Sequence, residues 1–246
     1  MSTILLSLKG VTKRYASTEV LHGITLDIMQ GEIISLLGIN GAGKTTLSSI
    51  IATLHPATSG DIVYRGESIY RNITDYRLKL GYCPQKPNLY PQLTLEQNLL
   101  FAGKFYGLSP AEIKPRIDEL ANQFELTKYL PQRATVLSGG YKQRFMIARS
   151  LIHKPDFIIL DEPTVGLDPQ IRRHLWEMIK ELKKSGITIL LTTHYLDEAE
   201  KLSDRVCILD KGYIRLIDTP DKLMADFKQN NLEDVFIELL KAGKNE

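Results

Sequence analysis

Short, mainly apolar runs recur along the chain, at residues 33–37, 157–160 and 187–191. Runs of this length match strands buried on both faces and fall far short of the roughly 20 residues that cross a bilayer. Between them lie stretches with helix-start chemistry. Thr94 with Gln97, and Ser109 with Glu112, are capping-box pairs, and Pro110 stands at a favoured first-turn position. These signals predict helices over residues 95–106 and 111–124. A third helix is predicted from Gly139-Gly140 to about His153, a fourth over 169–185 with Gly186 as its stop, and a short one over 195–202. The first part reads differently. Residues 3–9 and 20–29 look like strands, Gln30-Gly31 makes a turn, 32–37 is another strand, and a helix runs over 44–54 until Pro56 and Gly60. A hairpin is predicted from 205–210 and 213–217 about Lys211-Gly212. Residues 231–240 carry apolar positions at helical spacing, as a terminal helix docked on a core would.

Apolar strands alternating with helices imply a mostly parallel sheet covered on both faces, an α/β core. Residues 89–153 read as a helical insertion into it. No internal repeat or low-complexity tract is visible. A length of 246 residues suits one large domain with an insertion. At 43% hydrophobic and 24% charged residues, disorder is excluded. The net charge of +2 leaves no electrostatic footprint for nucleic acid. Cys83 and Cys207 stand in no metal or redox spacing and read as reduced structural thiols. No basic segment precedes the apolar residues 4–6, so no signal peptide is expected. The expectation is a cytoplasmic chain that meets a membrane only through a partner.

Gly38-Ile39-Asn40-Gly41-Ala42-Gly43-Lys44-Thr45 fits GxxxxGK[ST] between a predicted strand and helix. Glycines let successive backbone N–H groups turn toward phosphate oxygens, and the helix start adds partial positive charge. Lys44 can reach the terminal phosphates, and the Thr45 hydroxyl can ligand magnesium. Residues 157–160 lead into Asp161-Glu162, which suit a magnesium-holding carboxylate and a base that polarises water. Leu137-Ser138-Gly139-Gly140 opens a further helix. On its own this is either ordinary capping by Ser138 or a second anion site.

With these motifs in order, the chain resembles the nucleotide-binding subunits of ATP-binding cassette (ABC) transporters over about residues 3–240. The fold implied is a P-loop NTPase core with an N-terminal antiparallel β subdomain and an inserted α-helical subdomain. The chain would divide into a core of 1–88 and 154–220, a helical part of 89–153 and a tail of 221–246. The resemblance implies an ATP hydrolase using ATP and Mg2+, in which two subunits sandwich two ATP molecules head to tail. It assigns Tyr15 to adenine, and Asn40, Gly41, Ala42, Gly43, Lys44, Thr45 and Thr46 to phosphate. Thr45, Gln85 and Asp161 would serve magnesium. Glu162 would position water, with His194 as the switch histidine and Lys44 and Gln85 assisting. Ser138, Gly139 and Gly140 would close on ATP held by the other subunit, and Asp168 would lie where the subunits meet. Its otherwise plain reading is the N-cap of the helix at Pro169. Tyr141 departs from the common LSGGQ pattern, which leaves the contact usually made by that glutamine in question.

The ending at 231–240 resembles ATPases that serve ABC-2-type exporters. The sequence stops at Glu246, so no long glycan-reading C-terminal domain is expected. The implied partners are an integral membrane permease and a second copy or paralogous ATPase subunit, with no nucleic acid. The segment after Gln85, about residues 86–91, would carry motion to the permease. An importer's ATPase, a non-transport ABC ATPase and a nucleotide-binding regulatory module without turnover are the alternative readings.

Overall fold

A computed structural model of the chain describes residues 3–242. The end of the expected tail, residues 243–246 with Glu246, lies outside the described residues. The chain forms two compact units. One holds the residues up to Arg71 and from Thr188 onward, the other Asn72–Ile187.

In the first unit, β1 (Ile4–Tyr15) and β2 (Thr18–Met29) pair antiparallel. β1 runs past the predicted end at residue 9. Its pairing continues through register shifts between Leu8 and Val11 and onward to Tyr15↔Thr18, as bulged ribbons do. β3 (Ile33–Leu37) is buried along its whole length, and α1 (Lys44–Ile51) follows it. This helix stops short of the predicted residue 54, where Thr53 takes a left-handed φ of 59°. β4 (Ser59–Tyr64) and β5 (Glu67–Ser68) complete a four-stranded sheet in the order β2-β1-β4-β5.

The second unit begins with α2 (Ile73–Lys79), capped by Asn72, and β6 (Leu80–Cys83). Then come α3 (Leu95–Phe105) and α4 (Pro110–Gln123), each with both halves of its capping box formed. α5 (Gly139–Ser150), β7 (Phe157–Asp161) and α6 (Pro169–Lys184) follow. β6 lies parallel to β7. α3 approaches α4 at Gly103, where a Cβ would meet Ile113 Cγ1 at 2.7 Å. Phe124, Phe145 and Phe157 are fully buried in this unit.

The chain re-enters the first unit with β8 (Thr188–Thr193), α7 (Leu196–Leu202), β9 (Arg205–Asp210), β10 (Tyr213–Asp218), α8 (Pro220–Asp226) and α9 (Leu232–Ala242). β3 lies between β8 and β9, parallel to both, and β10 pairs antiparallel with β9. The β9–β10 turn has positive φ at both Lys211 and Gly212, as a tight hairpin needs. α9 buries Leu232, Val235 and Phe236 against Leu37, Ala199, Val206, Ile208 and Leu223. Burying side chains of this size contributes about 1.5–3 kcal/mol each, enough to dock the helix. Among the described residues, no helix is long and apolar enough to cross a membrane.

Candidate nucleotide site

The glycine-rich loop leaves β3 and enters α1 through strained geometry that its residues permit. Gly41 and Gly43 have φ of 86° and 107°, where a side chain would be costly. Gly38 is needed for a different reason, since a Cβ there would lie 2.4 Å from the Leu209 carbonyl oxygen. α1 starts at Gly43 with no side-chain cap and no acidic residue in its first turn. No side-chain cap competes at this helix start, whose positive end favours an anion. Lys44 is only 4% exposed, and its Nζ donates to the carbonyls of Gly38 at 2.7 Å and Ile39 at 3.3 Å. An ammonium this buried requires partners, and the loop's own carbonyls hold it beside the amides. This cradle fits a nucleotide's phosphates. Asn40, Gly41 and Thr45 are exposed, Thr46 is half-buried and Ala42 is buried.

His194 arrives at the same end of the sheet. Leu37 of β3 pairs with Thr193 of β8, so Gly38 and His194 both follow the carboxyl ends of neighbouring parallel strands. Ligands of open α/β sheets bind at such ends. Tyr15 ends β1 and is 44% exposed, and Lys13 Nζ lies 4.9 Å from its ring centroid.

The second unit repeats the strand-end logic. Cys83 of β6 pairs with Leu160 of β7, so Gln85 and the Asp161-Glu162 pair leave the same edge. Asp161 is 1% exposed. Glu162 has φ of 49°, a conformation costing about 1–2 kcal/mol for a residue with a Cβ. Gln85 Nε2 donates to the Glu162 carboxylate at 2.8 Å. Ser138 and Asp168 stand at the N-caps of α5 and α6, as their plain reading expects, yet neither side chain makes a capping bond. Asn72, Thr94, Ser109 and Thr219 do cap their helices. Ser138 and Gly139 are exposed. At Gly140 a Cβ would lie 2.5 Å from Ile171 Cγ2, whereas at Gly139 it would meet only Leu167 Cδ2 at 3.7 Å. Packing therefore explains Gly140 and not Gly139.

The expected residues thus fall into two groups. The first unit holds Tyr15, the 40–46 loop residues and His194. The second holds Gln85, Ser138, Gly139, Gly140, Asp161, Glu162 and Asp168. The structure joins Gln85 directly to Glu162. No three His, Cys, Asp or Glu side chains cluster at metal-holding distance among the described residues. The two thiols are buried, and burial pushes both up to about 12, so neither is reactive.

Sequence reading missed several residues that shape this unit. Arg144 is held by Glu125 at 2.6 Å, and its guanidinium lies 4.8 Å from the centre of the Tyr141 ring. Asn98 is 1% exposed and ties the carbonyls of Tyr90 and Thr94. The one advance signal for Asn98 is its place one turn after the Thr94 cap. Glu125 carries none.

The fold and loop define a P-loop nucleotide-binding protein. Comparison with known proteins narrows this further. The ABC transporter family matches residues 21–165, and the chain belongs to that family. It is 39% identical to the linearmycin resistance ATP-binding protein of Bacillus subtilis over 242 residues, covering 98% of this chain and 76% of that one. It is 40% identical to the Nod factor export ATP-binding protein I of Ralstonia nicotianae, covering 86% and 66%. A solved ATP-binding subunit of an ABC transporter superposes with a TM-score of 0.86 at 35% identity, covering 96% and 99%. A dimeric ATP-binding cassette bound to ADP and phosphate gives 0.79 at 29% identity, covering 87% and 98%. The chain is an ABC ATPase, a nucleotide-binding subunit that binds and hydrolyses ATP.

Proposed function

We propose that this chain is the ATPase of an ABC exporter, in which two subunits close head to tail on two ATP molecules and drive a membrane permease. The observation that carries the head-to-tail reading is the start of α5. Ser138 is exposed at an N-cap position and its side chain makes no capping bond. Gly139 beside it has no packing reason to lack a side chain. A second uncommitted anion site of this kind suits ATP carried by another subunit's phosphate loop.

In this reading Tyr15 stacks on adenine, and the amides from Asn40 to Thr46 with Lys44 hold the phosphates. Thr45, Gln85 and Asp161 would hold magnesium, which when bound would supply neutralising charge to the phosphates. Glu162 accepts a proton from the attacking water, and Gln85 keeps its carboxylate oriented. His194 and Lys44 stabilise charge on the terminal phosphate. Asp168, its side chain likewise free of capping, meets the other subunit.

Residues 89–153 serve as the arm that receives the permease, on a core of 1–88 and 154–220, with 221–246 as a tail. A groove of about 180 Å³ lined by Pro87, Leu89, Pro91, Ala134, Thr135 and Lys142 supports this. It includes the segment that follows Gln85 and a residue of the signature helix. The export names of the relatives support an exporter, with the chain on the cytoplasmic face of the membrane through its permease.

Sedimentation of the Glu162→Gln protein with ATP tests the dimer. A stable ATP-dependent dimer that Ser138→Arg abolishes, with monomer ATP binding intact, supports it. A protein that stays monomeric at saturating ATP overturns it. Co-purification of a multi-spanning protein from membranes tests the permease.

A further inference from the structure

We infer that Arg149 is a positioning residue that fixes Gln85 beside Glu162 by holding the chain at Asn88. This rests on the catalytic reading of Gln85 and Glu162 proposed above. Between β6 and α3 the chain has no helix and no strand ladder. Backbone contacts hold only its end, at Tyr90–Leu93 and in an isolated bridge from Thr94 to Arg133, so the course of the earlier residues rests on side-chain ties. Three are visible. Gln85 bonds Glu162. Asn98, buried in α3, exchanges bonds with the Tyr90 backbone, accepting from its N–H at 3.0 Å and donating to its carbonyl at 3.1 Å. Between them, the Arg149 guanidinium donates to the Asn88 backbone carbonyl at 2.9 Å through Nη1 and to the Asn88 side-chain oxygen through Nη2.

A planar fork on two acceptors of one residue fixes its orientation as well as its position. Pro84 and Pro87 restrict the backbone on either side of Gln85, so an anchor at Asn88 is passed back to Gln85. Arg149 also stands in the last turn of α5, whose first residues are Gly139 and Gly140. Twelve helical residues span about 18 Å as one rigid rod. Gln143 on the same helix donates to Cys83 Sγ at 3.6 Å. The signature loop and the anchor of the Gln85 segment therefore ride on a single body. The contact sets where Gln85 stands whenever α5 moves.

The test is steady-state ATP hydrolysis of the full chain with Arg149→Lys, which keeps the charge and loses the fork. Expected is a fall in kcat of about tenfold, with ATP affinity by calorimetry within about twofold and the melting midpoint nearly unchanged. Asn88→Ala is expected to fall less, because the backbone carbonyl still holds one arm. Adding Asn88→Asp to Arg149→Lys is expected to recover part of the loss through a new ion pair. Arg116→Lys serves as the structural control, since Arg116 also donates to a backbone carbonyl, that of Leu151 at 2.8 Å, away from the Gln85 segment. Wild-type kcat in Arg149→Lys overturns the inference. So does a loss that merely follows the folded fraction, or one that Asn88→Asp does not relieve. Glu162→Gln in the same assay tests the underlying reading. Full turnover there removes that reading, whatever Arg149→Lys does.

Discussion

Gln85 and Glu162 are 77 positions apart in sequence and joined by one hydrogen bond of 2.8 Å. The bond is possible because β6 and β7 run parallel with Cys83 opposite Leu160, so both residues leave the sheet on one edge. Glu162→Gln preserves that bond, since its amide oxygen still accepts from Gln85, and preserves the left-handed backbone. It removes only the carboxylate. Turnover is expected to fall by about 10²–10⁴-fold, with the unfolding midpoint unchanged. Phosphate release measured beside a denaturant titration checks this, and near-wild-type turnover would remove Glu162 from the role.

The two signature glycines should respond in opposite ways. Gly140→Ala places a Cβ 2.5 Å from Ile171, on the face where α5 meets α6. Overpacking of this kind costs about 1–3 kcal/mol, so the melting midpoint is expected to drop. Gly139→Ala meets only an ordinary contact at 3.7 Å. It should leave stability within about 0.5 kcal/mol while lowering ATP turnover at least tenfold. Equal stability losses in the two variants would mean that Gly139 is kept for packing.

Tyr141, where the family commonly has glutamine, is packed within its own subunit. Its ring centroid lies 4.6 Å from that of Tyr129 and 4.8 Å from the Arg144 guanidinium, which Glu125 holds in place. Tyr141→Gln removes the ring contacts and is expected to cost about 1 kcal/mol of stability. Hydrolysis should stay within about threefold, because Ser138 and both glycines are unchanged. A tenfold change in turnover would show that the ring acts in the closed dimer.

The phosphate loop, the apolar strands β3, β7 and β8 and the two capping boxes were legible because each is a local pattern. β6 was not. It has only four residues with a glycine second, too short and too broken a run to stand out as a strand. The structure keeps Gly81 because a Cβ there would lie 2.6 Å from the Ser150 carbonyl oxygen. β1 beyond Lys9 escaped notice because its pairing depends on bulges rather than alternation. Glu162 was singled out as a candidate through its strand. Its φ of 49° and its bond to Gln85 are tertiary facts. Arg149 looks like any basic residue near a helix end until Asn88, 61 positions earlier, is placed against it.

His153 makes the second unit sensitive to acid. Its ring stacks on Tyr106 at 3.6 Å, and its Nε2 is 3.0 Å from the Leu80 carbonyl oxygen. A carbonyl only accepts, so Nε2 carries the proton. Nδ1 is buried without a hydrogen-bond partner. A second proton would therefore enter a dry position, near the positive charge of Arg116. Burial pushes the group down to about 4 from 6.5, with Arg116 adding to the shift and the Leu80 carbonyl opposing it. The unfolded chain binds this proton below about pH 6.5 and the folded chain does not until about pH 4. Stability is then flat above about pH 6.5 and falls as pH drops between those values. From about pH 7.5 to about pH 5 the loss from this one group is about 2 kcal/mol. His153→Phe keeps the stack on Tyr106, forgoes the bond to Leu80 and has nothing to protonate. It should be less stable than the wild type at about pH 7.5, with a shallower decline toward about pH 5. Urea titrations of both proteins across that range measure it, and parallel declines would show that acid acts elsewhere.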